Sequence, residues 1–144
     1  MFKPHDPNIL GDTISRLWVF TLFTMVFRDI HEMATASTMQ GILEGTYEGN
    51  PVTEAGLFFG GVALVILLLT SLLSVLLKPY AARRLNLAVA PIALGGIIYL
   101  VPNDPDDYLL GGASAIAVLT IFVSSWCWQT TAKIDSMHEV PHAA

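Results

Sequence analysis

Apolar residues in this chain run together in long blocks, and polar residues collect in the short stretches between them. Four blocks stand out, at 13–33, 55–77, 85–101 and 108–128. Crossing about 30 Å of hydrocarbon takes about 20 helical residues, with about 17 to 25 tolerated. The second and fourth blocks meet this without a single charge. The third is short and contains Pro91, and the first reaches full length only by taking in charged residues near its exit. Continuous runs favour helices over barrel strands, which alternate inward and outward residues. A helix also satisfies its own backbone where no water is present to do so. The expected fold is therefore all-α, a four-helix transmembrane bundle with both termini on one side. Residues 1–12 form an N-terminal segment, 13–129 the transmembrane domain, and 130–144 a tail expected to lack order.

Local signals set the expected boundaries. Asp12 or Thr13 can cap the first helix, and Thr53, just after Pro51, the second. Lys78-Pro79 ends the second helix, because proline disfavours helix at the residue before it. Val101-Pro102-Asn103-Asp104-Pro105 reads as a turn. Trp18, Tyr80, Trp126 and Trp128 fall near one membrane boundary, Tyr99 and Tyr108 near the other.

Composition supports lipid as the solvent. Of 144 residues, 53% are hydrophobic and 13% charged, against about 25% charged in soluble domains. A net charge of −5 and the lack of a basic stripe argue against nucleic acid as a partner. The single cysteine, Cys127, excludes an internal disulfide and a dithiol redox centre.

Charge also orients the expected bundle. Lys3, Arg16, Lys78, Arg83, Arg84 and Lys133 fall on the side of the termini, and Arg28 alone on the other. Basic residues mark the cytoplasmic side, which places both termini there. The connections on the far side are acidic, with Glu44, Glu48 and Glu54 in one and Asp104, Asp106 and Asp107 in the other. A cleaved signal peptide is the competing reading of the first block, since Ala34-Thr35-Ala36 fits a cleavage site. Arg28, Asp29, His31 and Glu32 interrupt that pattern, and Asp6 and Asp12 lie in the lead, so the first span is expected to be retained.

The stretch Arg28-Asp29-Ile30-His31-Glu32 is the main candidate for chemistry. Arg16 and Arg28 are twelve residues apart, about 18 Å along a helix, so both cannot sit at opposite interfaces without snorkelling or thinning of the bilayer. A charge inside the membrane costs about 2.5–3.5 kcal/mol on insertion scales. Arg28 can offset this by pairing with Glu32 one helical turn on. The candidate polar site comprises Arg28, Asp29, His31, Glu32 and Glu44, where Arg28 would hold an anion or Asp29 would exchange a proton. The plainer reading is a helix end whose charges pair with one another and reach the headgroups.

Gly41, Gly45 and Gly49 repeat every four residues between the first two spans. They suggest a glycine-rich loop, or else a short interfacial or re-entrant helix bringing Glu44 near Arg28. Gly56 and Gly60 in the second span, and Gly111, Gly112 and Ala115 in the fourth, are candidate positions for tight helix packing, within the bundle or against another subunit. Pro91 with Gly95-Gly96 is expected to bend the third span. His138-Glu139-Val140-Pro141-His142 matches H-E-x-x-H, but Pro141 breaks the helix that motif requires, so no metal site is expected. No cofactor is expected either, because no histidine lies in the apolar heart of any span, which argues against a buried bis-histidine haem.

Arg16-Leu17-Trp18-Val19-Phe20, Asp29, the block at 56–77 and Ala82-Arg83-Arg84-Leu85-Asn86 together resemble an uncharacterised bacterial family of small four-helix integral membrane proteins, a domain of unknown function. The resemblance covers about residues 17–128, and the chain departs from it at Pro91 and at 103–107. It implies a bacterial inner membrane and four helices, and carries no site residues.

The expected role is a non-enzymatic helix-packing subunit or scaffold of a membrane assembly, with the lipid bilayer and other membrane helices as partners. No catalytic residue is assigned. The alternative is a small oligomeric carrier or proton-coupled transporter built on Arg28, Asp29 and Glu32. A third reading is a membrane enzyme at the outer face.

Overall fold

The computed structural model describes residues 7–47, 50–99 and 105–128. Its elements are α1 (Pro7–Met33), α2 (Ala36–Leu43), β1 (Thr46–Tyr47), β2 (Asn50–Pro51), α3 (Glu54–Leu76), α4 (Pro79–Tyr99) and α5 (Pro105–Cys127). α1, α3, α4 and α5 are each long and apolar enough to cross a membrane. Together they define an all-α, multi-pass membrane protein. The tail at 130–144, the turn residues 101–104, Glu48, Gly49, Lys3, Lys133 and the H-E-x-x-H match lie outside the described residues.

The four long helices form a ring in the order α1, α3, α4, α5, in which each packs on its two neighbours. α1 lies diagonally across from α4 and also touches it. Leu10, Ile14, Trp18, Leu67, Ala82, Ala90, Ile97, Val118 and Ile121 belong to the core cluster or pack on it. Large apolar side chains such as Phe20, Phe23, Leu68, Leu72, Ile92 and Ile116 point outward. In water such a surface would drive aggregation; in acyl chains it is the solvated face.

Several boundaries differ from those read off the sequence. α1 begins at Pro7 and α4 at Pro79, ahead of the expected starts at 13 and 85. α5 begins at Pro105, ahead of 108. In each case proline is the first helical residue, where its missing N–H costs no bond and its φ is already helical. Asp12 and Thr13 therefore lie inside α1 and cap nothing; the Thr13 hydroxyl donates to Ile9 O at 2.9 Å. Arg83 and Arg84 belong to α4 and not to a loop, because charges near a span end reach the boundary along their own stems. The Arg84 guanidinium sits 4.2 Å from the Tyr80 ring centre. Thr53 caps α3 as expected, accepting from Gly56 N at 3.1 Å.

The connection from α1 to α3 is not the plain glycine-rich loop. α2 occupies it, followed by a two-stranded antiparallel hairpin pairing Thr46 with Pro51 and Tyr47 with Asn50. Gly45 closes α2 with φ +79, a left-handed conformation open to glycine at little cost. α4 runs without interruption through Pro91, which faces outward. Gly11 marks a close approach of α1 to α3: a Cβ there would lie 2.9 Å from Ser74 O.

Candidate functional site: a polar column inside the ring

The inward face of α1 is polar for most of its length. Ser15, Trp18, Thr21, Thr24, Arg28 and Glu32 follow one another at spacings of three and four residues, which keeps them on one face. From Ser15 to Glu32 this covers about 25 Å, most of the hydrocarbon thickness. α3 adds Thr70, Ser71 and Ser74, α4 adds Asn86, and α5 adds Asp107, Ser114 and Ser125, all buried.

These groups tie every adjacent pair of helices in the ring. Ser15 and Ser71 join α1 to α3 through a hydroxyl pair at 3.0 Å, and the Ser71 hydroxyl is also 3.1 Å from Ser15 O. Thr24 and Ser114 join α1 to α5 at 2.6 Å. Arg83 joins α4 to α5 by donating from Nε to Ser125 O at 3.1 Å and from Nη2 to Trp126 O at 3.2 Å. Those acceptors lie in the last turn of α5, where helix carbonyls lack internal partners and favour a cation.

Asn86 is the hub. It is 0% exposed and accepts from Trp18 Nε1 at 2.6 Å, across the diagonal of the ring. Its Nδ2 donates to Ser74 Oγ at 2.9 Å and to Ala82 O at 2.8 Å. The Ser74 hydroxyl passes the chain on to Thr70 O at 2.7 Å. One side chain thus ties α1, α3 and α4 together. Trp18, read from the sequence as a boundary aromatic, is instead wholly buried, and Trp128 nearly so. Tyr80, Tyr99, Tyr108 and Trp126 remain outward-facing.

At the other end of the column, Arg28 sits between two carboxylates. Its Nη2 is 3.5 Å from Glu32 Oε1 within α1, and its Nε is 3.2 Å from Asp107 Oδ1 on α5. Asp107, expected in an acidic loop, is the third residue of α5 and 2% exposed. Its place in the first turn sets a negative charge at the positive end of the helix dipole. Of the other candidates, Asp29 and His31 are exposed on α1. Glu44 is exposed and takes a hydrogen bond from Gln40 Nε2 at 3.2 Å rather than joining Arg28.

The candidate packing positions divide. Ala115 packs against the core cluster. A Cβ at Gly60, Gly111 or Gly112 would meet nothing within 4 Å, and one at Gly56 only the Thr53 hydroxyl. These glycines make no tight contact inside the ring.

Two of the hollows that border the described bundle have these linings. One, of about 280 Å³, lies at the end bearing Gly11, Asp12, Leu77, Pro79 and Trp128, and touches the column only at Ser74. The other is an outward groove of about 300 Å³ between α1 and α3, lined by Val19, Leu22, Phe23, Val26, Leu64, Val65 and Leu68. Among the described residues no cluster of three His, Cys, Asp or Glu side chains could hold a metal ion. No protein-family model, curated protein or solved structure matches this chain.

Proposed function

We propose that this multi-pass protein is a non-enzymatic helix-packing subunit or scaffold of a bacterial inner-membrane assembly, with its termini in the cytoplasm. The observation that carries the reading is where its polar groups and its glycines lie. The interior polar groups bond one another across the ring, as members of a self-contained frame do. Gly112 faces out of the ring, and Gly60 lies in the first part of α3, where residues 54–63 are exposed on every side; both have open space around them. Outward glycines on spanning helices let a neighbouring backbone approach closely, and packing rather than hydrophobicity drives helix association in lipid. The cytoplasmic placement of the termini rests on the excess of lysine and arginine on that side. The core position of Ile14, Trp18 and Thr21 supports retention of α1 in the working protein.

A carrier reading draws on the Arg28, Glu32 and Asp107 cluster, with Asp29 beside it. Against it, Arg28 is already ion-paired with both carboxylates.

Native mass analysis after extraction in mild detergent tests the proposal. The wild-type chain is expected as an oligomer or in complex with another membrane protein. Gly60→Leu and Gly112→Leu are expected to release the single chain with its thermal stability unchanged. A wild-type protein that is monomeric and partnerless under those conditions overturns the reading.

A further inference from the structure

The face that α2 turns outward is the wrong one for a helix bathed in water. At about 100° per residue, Met39, Ile42 and Leu43 share one side of α2. All three are exposed, Leu43 at 85%. Of the small and polar positions on the remaining sides, Ser37 is exposed and two pack on the protein. Thr38 and Gly41 are half-buried, the Thr35 hydroxyl donates to Thr38 Oγ1 at 2.9 Å, and the Thr46 hydroxyl donates to Gly41 O at 3.2 Å. A Cβ at Gly41 would come within 3.1 Å of Thr46 O, so the hairpin sits directly on that side. An eight-residue helix has little stability of its own in water, and in a soluble protein its apolar side supplies the missing stability by turning inward. Here the polarity is reversed, as it is in the four spans.

We infer that α2 lies in the plane of the membrane at the end where α1 exits and α3 enters, with Met39, Ile42 and Leu43 set into the acyl region of that leaflet. The inference rests on the membrane-spanning reading of the long helices. Attachment supports it: only Ala34 and Thr35 separate α2 from α1, and the short hairpin returns the chain to α3. Continuity supports it as well. Phe27, Ile30 and Met33 are exposed along the last turns of α1, which lead directly into α2. The occupant is the hydrocarbon of zwitterionic or anionic lipid alike, because residues 34–54 carry Glu44, Glu48 and Glu54 and no lysine or arginine. Insertion of this helix therefore depends on apolar burial and not on attraction to anionic headgroups.

Nitroxide labels on single cysteines, in a Cys127→Ser background reconstituted in phosphatidylcholine vesicles, test this by collision with oxygen and with a water-soluble nickel chelate. Labels at Met39→Cys and Leu43→Cys are expected to be rich in oxygen and poor in nickel, approaching a label at Ile66→Cys in the middle of α3. A label at Ser37→Cys should show the reverse, and adding phosphatidylglycerol should not change the pattern. Nickel access at 39 and 43 equal to that at 37, with Ile66 still in oxygen, overturns the interfacial helix and leaves the spans intact. Shielding of 39 and 43 from both reagents overturns it too, since a protein surface would then cover that face. Nickel access at Ile66 overturns the spans and this inference together.

Discussion

Replacing Arg28 with alanine is expected to destabilise the detergent-solubilised bundle by about 3–5 kcal/mol, the cost of removing one partner from a buried ion pair. The mechanism is what remains behind. Asp107 is 2% exposed, and its Oδ1 loses a guanidinium at 3.2 Å. Glu32 loses its partner within the same helix. Two carboxylates are then left near each other with the neutralising charge gone. Replacing Arg28, Glu32 and Asp107 together with apolar residues of similar volume should recover most of the loss, because the desolvation that the three charges suffer is removed with them. Reversible unfolding followed by Trp fluorescence measures both variants. A single variant as stable as wild type would mean that the cluster is solvated and holds nothing together.

Asn86 gives the second large effect. Its side chain takes part in bonds to Trp18, Ser74 and the Ala82 carbonyl. Hydrogen bonds between membrane helices average about 0.6 kcal/mol each by double-mutant cycles, so loss of the two to Trp18 and Ser74 in Asn86→Leu is expected to cost about 1 kcal/mol or more. A cycle with Trp18→Phe should return a favourable coupling, since the indole N–H and Asn86 Oδ1 meet at 2.6 Å. Zero coupling would show that the two residues are near but not bonded. Asn86→Ala should cost more than Asn86→Leu, because the emptied space adds to the lost bonds.

The four spans were legible because length and apolar composition carry a direct physical meaning in lipid: a continuous apolar run must satisfy its backbone by itself. Their ends were less so. Reading Arg83, Arg84 and Asp107 as markers of water cut α4 and α5 short, whereas Arg83 spans to the α5 terminus and Asp107 is neutralised from α1. The Arg28–Glu32 pair was legible from its spacing of four, since helix geometry alone brings those residues together. Asp107 was not, because its approach to Arg28 depends on how α5 packs. The polar column left a signal that composition concealed: Trp18, Thr21, Thr24, Arg28 and Glu32 keep helical spacing through an apolar block. A count of polar residues in the span misses it; their common face does not. The open space at Gly60 and the outward course of Gly112 also required the packing, since sequence leaves a small residue equally suited to a contact inside the ring or outside it.

A polar column inside the ring, with large apolar side chains covering its outside, makes sense only if hydrocarbon surrounds the chain. Washing native membranes with alkaline carbonate separates peripheral from embedded proteins and tests this most directly. The untagged protein is expected to stay in the pellet and to leave it only on addition of detergent. Recovery in the carbonate supernatant would contradict the membrane bundle and, with it, the roles assigned here to Asn86, Arg28 and α2.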